Sequence, residues 1–240
     1  MIDKKFLQNY ATKKQTSFAN ALREYTQHLF LRSFYTKAAS EFFLFKGGTA
    51  LKFVFGSPRF SEDLDFTGIK NSGKFEQVLE AALLELTTEG IQVDLIESKP
   101  TSGGHLAIIR VNIFQNKFEV HNQISFRPGH KIRPESVLIS SDLVPSYSAY
   151  LLDRKKLIEE KVMALATRAK PRDFFDLYFI LRRDDLRNLV QLSDLQRKKI
   201  RQILEKQDAK EIAVELKRFL PKSFWALAKE LPSALKRELI

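Results

Sequence analysis

Cysteine is absent from this 240-residue chain, which rules out disulfides and thiolate metal sites and fits a reducing cytoplasm. No apolar run approaches the length of about 18 residues that marks a membrane span. The opening MIDKKFLQNY lacks the apolar core of a signal peptide. The expectation is a soluble, cytoplasmic protein with no membrane partner. The common nucleotide-binding loops are missing as well, since neither GxGxxG nor G-x-x-x-x-G-K-[ST] occurs. The four histidines, His28, His105, His121 and His130, share no metal-ligand spacing, and no Ser/His/Asp arrangement can be argued. Internal repeats and low-complexity tracts are lacking too.

What the chain has is positive charge, 40 basic residues against 29 acidic for a net +11. Such an excess suits a polyanionic partner, although a solvated basic surface gives the same number. The length allows one large domain or two small ones with a real core.

The densest chemistry lies between Lys46 and Phe66, KGGTALKFVFGSPRFSEDLDF. Alternate residues of a strand share a face, so Asp63 and Asp65 would project together while Leu64 and Phe66 turn to the core. Two adjacent carboxylates repel unless a cation joins them. Oxygen-only ligands suit a hard ion such as Mg²⁺ (or Mn²⁺), which binds one or two carboxylates and takes further ligands from water and phosphates. Upstream, Gly47 and Gly48 let the backbone approach a phosphate, and Thr49 could open a helix whose free N–H groups face the anion. Lys46, Arg59 and Ser61 belong to the same polar stretch. A lone DxD or a lone glycine pair is common; the two together narrow the reading to metal-centred phosphate chemistry.

A second group follows about a hundred residues later in LIEEKVMALATRAKPRDFFDLYFILRR. Lys161, Arg168 and Arg172 would form one basic stripe on a continuous helix. Pro171 instead suits the first turn of a new helix, which leaves Asp173 and Asp176 one turn apart on it. A surface salt-bridge ladder is the alternative for such a pattern taken alone.

Residues 3 to 39 carry apolar positions near a 3.6 period and read as two helices. A strand is expected over 42–45, a short helix over 49–55, and a strand over 64–66. A helix follows Gly73 and ends at Gly90, then strands over 91–96, 106–113 and 118–126. Residues 127–145 read as a loop, and everything from Ser146 as helix, including 189–219 and 224–235. This gives an α+β first part, residues 1–145, and an all-α second part, 146–240. The helical part would complete an active-site cleft. Its last helices carry Arg197, Lys198, Lys199, Arg201, Lys206, Lys217, Arg218 and Lys222, a candidate acceptor face or a solvated one.

The two segments resemble the signature of the AbiEii/AbiGii-type nucleotidyltransferase toxins, within the DNA polymerase β-like superfamily. In that superfamily a Gly-Ser pair, here Gly48-Thr49, opens a helix after the first strand, and the DxD on the next strand binds metal. The resemblance runs from about residue 41 to 183. It implies a mixed sheet with flanking helices, and transfer of NMP from an NTP to an RNA acceptor such as the tRNA 3′ end, with a cognate antitoxin as protein partner. Asp63, Asp65, Lys161 and Asp173 would be catalytic. Lys46, Gly47, Gly48, Thr49, Arg59, Ser61, Arg168, Arg172 and Asp176 would bind nucleotide. Polymerase β-like enzymes add a third carboxylate on a later strand, but Gln123 stands where it is expected. Glu119 lies four residues earlier, about 13 Å along a strand; Asp94 is another strand-borne candidate. Glu119 is kept as the third metal ligand beside two alternatives, that Asp173 or Asp176 fills the role or that the register differs. The rival functions are modification of a protein or small molecule, a non-catalytic binding relative, and a DxD-dependent glycosyltransferase.

Overall fold

The computed structural model describes residues 1–69, 73–126 and 134–239. The chain forms two compact units. The first comprises Met1–Lys13, Ser17–Gly56 and Phe60–Asp153; the second comprises Lys14–Thr16, Ser57–Arg59 and the chain from Arg154 onward.

In the first unit, helices α1 (Lys4–Lys13) and α2 (Phe18–Tyr35) precede strand β1 (Phe43–Lys46), helix α3 (Gly47–Phe55) and strand β2 (Leu64–Gly68). Helix α4 (Gly73–Thr88) follows, then β3 (Gln92–Thr101), β4 (Gly104–Ile113), β5 (Asn116–Phe126), β6 (Glu135–Ile139) and β7 (Tyr147–Leu151). The seven strands form one mixed sheet in the order β3-β4-β5-β2-β1-β7-β6. Strand β2 runs parallel to β5 and β1 parallel to β7, and the other neighbours are antiparallel. The fold is α+β, as the sequence implies.

Ser17 starts α2 by accepting from Asn20 N–H at 3.1 Å, which satisfies one of the donors a helix start leaves open. The buried face of α2 sets Phe34 against Phe43, Phe66 and Phe75. These rings come from β1, β2 and α4, so one aromatic cluster joins both central strands to both long helices. Burying each such ring is worth about 1.5 to 3 kcal/mol. Because Phe66 and Leu64 fill this side of β2, Asp65 and Thr67 are left on the other.

Three expectations for this unit are corrected. Residues 135–139 are a strand where a loop is expected, and 147–151 are a strand where helix is expected; residues 127–133 of that expected loop, and His130, lie outside the described residues. Both strands are short; β7 joins the sheet through Leu151 beside the distant Phe45, and β6 pairs with β7 at the sheet edge, where Leu138 is 69% exposed. Neither long alternation nor a tight-turn motif marks them. The first compact unit includes both strands and runs on to Asp153. Helix α3 also begins at Gly47, two residues before Thr49.

The second unit contains α5 (Arg154–Thr167), α6 (Pro171–Leu181), α7 (Asp184–Arg187), α8 (Asp194–Glu205), α9 (Ala209–Leu216) and α10 (Trp225–Glu238). Pro171 occupies the first turn of α6, as its missing N–H favours. The helix expected over 189–219 is broken, because Ser193 caps α8 and Asp208 caps α9, accepting from Lys210 N–H at 2.7 Å. No described helix is long and apolar enough to cross a membrane.

Candidate active site

The DxD segment is built on the turn from β1 into α3. Lys46 is extended and pairs in register with Asp65 of β2, and Gly47 follows it with φ +81°. A β-carbon at Gly47 would stand 2.1 Å from Asp65 Oδ2 and 2.8 Å from its Cβ and Cγ. Only glycine tolerates both the left-handed backbone and this approach. The Asp65 carboxylate thus lies against the start of α3, where helix geometry leaves N–H groups without intrahelical acceptors and the dipole favours negative charge. Gly48 and Thr49 are buried in that first turn. The Thr49 hydroxyl donates to the carbonyl of Asp63 at 2.6 Å, so it fixes the chain ahead of β2.

Asp63 and Asp65 are half-buried, while Leu64 between them and Phe66 beyond are fully buried. The alternation expected of the pair is present. Across the sheet, Asp65 stands in register with Gln123 of β5, which is exposed. The neutral amide therefore occupies the row of Lys46 and Asp65, at the place where a third carboxylate is expected. Beside it, Lys46 Nζ donates to Ser125 Oγ at 2.7 Å. Thr67, in register with Ser125, has a buried hydroxyl oxygen with no hydrogen-bond partner.

Glu119 lies elsewhere. It is opposite Arg110 of β4 and accepts from that guanidinium at 2.8 Å, beyond the part of β5 that pairs with β2. It is not brought to Asp63 and Asp65, because four strand residues separate it from Gln123. Asp94, on the edge strand β3, is opposite Arg110 as well.

The second unit gathers the basic residues around two buried acids. Asp176 Oδ1 accepts from Arg59 Nε at 2.7 Å, and Oδ2 accepts from Arg59 Nη2 at 2.9 Å and from Lys161 Nζ at 2.7 Å. All three side chains are buried. Burial raises the pKa of this carboxyl, but the charges of Arg59 and Lys161 outweigh it and bring it down to about 2. The cluster holds one anion and two cations and keeps a net positive charge.

Asp173 serves a different partner. It takes a two-pronged contact from Arg168, at 2.8 and 2.7 Å, and accepts from Lys170 N–H at 3.1 Å. Its oxygens close the start of α6 and hold the guanidinium. Arg168 and Lys161 therefore face different acids. Arg172 is half-buried on the first turn of α6. Ser61 offers its backbone carbonyl to Gln27 of α2, at 3.0 Å.

Sequence reasoning places Arg59 and Asp176 in one nucleotide-binding group but does not foresee that they bind each other. Asp176 stands among apolar residues, but Arg59 sits in the polar run GSPRFSED, so nothing local pairs the two. Gln27 carries no sequence signal at all.

Asp63 and Asp65 suit a divalent ion that takes two carboxylates and fills its other positions with water and phosphate oxygens. Among the described residues, no group of three or more acidic, histidine or cysteine side chains is placed to hold a metal alone. The space beside Gly47 is kept clear for the Asp65 carboxylate.

The fold is shared with solved structures. JHP933 from Helicobacter pylori superposes with a TM-score of 0.64 at 20% identity, over 93% of this chain and 91% of that one. MenT4, a nucleotidyltransferase toxin from Mycobacterium tuberculosis H37Rv, superposes with a TM-score of 0.60 at 16% identity, over 100% of this chain and 89% of that one. No curated protein matches the sequence. Residues 29–236 match the family described as Nucleotidyl transferase AbiEii toxin, Type IV TA system, and the chain belongs to that family of nucleotidyltransferases.

Proposed function

We propose that this nucleotidyltransferase transfers NMP from an NTP to an RNA acceptor such as the tRNA 3′ end. The acceptor hydroxyl attacks the α-phosphorus, the new P–O bond forms as the bond to the β-phosphate oxygen breaks, and pyrophosphate leaves while the hydroxyl proton passes to solvent. The observation that carries this reading is the placement of the Asp65 carboxylate against Gly47 at the start of α3. Acidic ligands and anion-seeking N–H groups then share one corner of the sheet.

Asp63 and Asp65 are assigned to hold Mg²⁺ (or Mn²⁺). A bound divalent ion would neutralise phosphate charge and lower the pKa of an attacking hydroxyl. Gly47, Gly48 and Thr49 contribute backbone N–H groups to the phosphates, and Lys46 adds a positive charge in the same row as Asp65. Lys161 and Arg172 are assigned to the charge on the departing pyrophosphate. Asp176 aims Lys161 through their 2.7 Å contact. The net charge of +11 favours an RNA acceptor over an acidic small molecule only in degree. The family implies an antitoxin as protein partner, and a cytoplasmic site of action fits a chain without cysteine.

The test is incubation of the purified chain with each labelled NTP, Mg²⁺, and either total cellular RNA or total cellular protein. Label in RNA, lost in an Asp65→Ala variant, supports the reading. Label in protein, or in neither pool, overturns the RNA assignment.

A further inference from the structure

We propose that Gln27 and Thr49 are positioning residues for the Asp63/Asp65 pair, acting through three consecutive backbone carbonyls. This rests on the reading of that pair as a metal site. The Gln27 side-chain amide donates to the carbonyls of Ser61 and Glu62, both at 3.0 Å, and Thr49 Oγ1 donates to the carbonyl of Asp63 at 2.6 Å. Both side chains are buried, Gln27 at 2% and Thr49 at 0% exposure. One turn before Gln27 on α2, Arg23 Nη1 reaches the Glu62 carboxylate at 3.1 Å. Two different helices, α2 and α3, therefore grip residues 61–63.

The grip matters because the two acids are held differently. Asp65 lies inside β2, in register with Lys46 on one side and Gln123 on the other. Its backbone direction is set by the ladder. Asp63 lies one residue ahead of β2, in a stretch with neither helix nor strand. Loop backbone is the mobile part of a fold unless something fixes it. Here the side chains of Gln27 and Thr49 hold the carbonyls of residues 61–63, and they set the direction in which the Asp63 carboxylate leaves the chain. The separation of the two carboxylates, and with it the fit to a cation, depends on donors at positions 27 and 49. Outer groups that orient metal ligands are typically worth about 10- to 100-fold in affinity.

The chemistry at position 27 is directional. Two carbonyls demand N–H donors, so methionine, of similar length, keeps the packing and loses the function. At position 49, valine keeps the shape without the hydroxyl and serine keeps the hydroxyl.

The experiment is Mn²⁺ binding to the full chain by electron paramagnetic resonance, beside thermal melting by circular dichroism. Gln27→Met and Thr49→Val should each weaken Mn²⁺ binding about tenfold, while Thr49→Ser stays within about twofold of wild type. Asp65→Ala should abolish binding. If wild type binds Mn²⁺, Asp65→Ala does not, and folded Gln27→Met binds as wild type does, the positioning role is overturned while the metal reading stands. If Gln27→Met fails to fold, the valine and serine variants at position 49 decide, and equal affinities for the two overturn the proposal. If wild type itself binds no Mn²⁺, the metal reading fails and the positioning role falls with it.

Discussion

A β-carbon added to Gly47 would stand 2.1 Å from Oδ2 of Asp65, so the first residue of α3 and the second acid of the DxD occupy mutually exclusive space. Gly47→Ala therefore meets both a clash and an unfavourable φ. The expected loss of stability is about 2 to 4 kcal/mol. In the double variant Gly47→Ala/Asp65→Ala the contacts with Oδ2 and Cγ are gone but the 2.8 Å approach to the β-carbon of residue 65 stays, so the loss should shrink without falling to the backbone cost of about 1 kcal/mol alone. Urea denaturation of the four proteins of this cycle measures the coupling directly. Equal losses with and without Asp65 would show that the contact carries no energy.

Lys161→Met should separate charge from fold. Asp176 keeps both Arg59 contacts in that variant, so the melting temperature should change little. Turnover should fall about 100-fold or more with a smaller change in KM for NTP, as expected when a donor to developing charge is removed. Steady-state kinetics with labelled NTP reads this. A change confined to KM would assign Lys161 to ground-state binding.

Asp176→Asn leaves two buried cations facing a neutral amide, and should cost about 3 kcal/mol or more. The pH dependence has a definite sign. The folded carboxyl is held down at about 2 by Arg59 and Lys161 against the effect of burial, below the unfolded value of about 3.9. Its contribution is therefore present above pH 4 and is lost as pH falls toward 2. Denaturant titrations at a series of acidic pH values should show wild type converging on Asp176→Asn. Parallel curves would contradict the assignment.

His28 acts in the same direction over a higher window. It is stacked on Phe53 and hydrogen-bonded to the Tyr147 hydroxyl at 2.9 Å. Burial first, and the nearby Lys52 charge second, lower its pKa to about 3. The unfolded imidazole titrates near 6.5, so the unfolded chain takes up a proton that the folded one refuses. Stability should be full above about pH 6.5 and decline as pH falls toward 3. His28→Gln should flatten that part of the profile. An unchanged slope would place the acid sensitivity elsewhere.

The site was legible where its chemistry is local. Gly47, Gly48 and the alternation of Asp63 and Asp65 with Leu64 and Phe66 follow from residue type and strand period alone. Pro171 reads correctly as a helix start for the same reason. What escaped depends on partners far along the chain. Arg59 and Asp176 are separated by 117 residues, and no periodicity links them. Strands β6 and β7 belong to the sheet through a parallel pairing of Leu151 with Phe45, which a five-residue segment containing serine and tyrosine does not announce. Thr49 carries a hydroxyl suited to phosphate, and only the fold reveals that it is spent on the Asp63 carbonyl. Gln123 stands in register with Asp65, a cross-strand relation that no local pattern shows.

The most direct test of the site compares wild type with Asp65→Asn, a change that keeps shape and removes charge. Transfer of label from α-labelled NTP to RNA should be rapid in wild type with Mg²⁺, abolished by EDTA, restored by added Mg²⁺, and absent in the variant although it melts like wild type. Equal labelling by a folded Asp65→Asn protein, or transfer that persists in EDTA, would contradict the placement of the reaction at the Asp63/Asp65 pair.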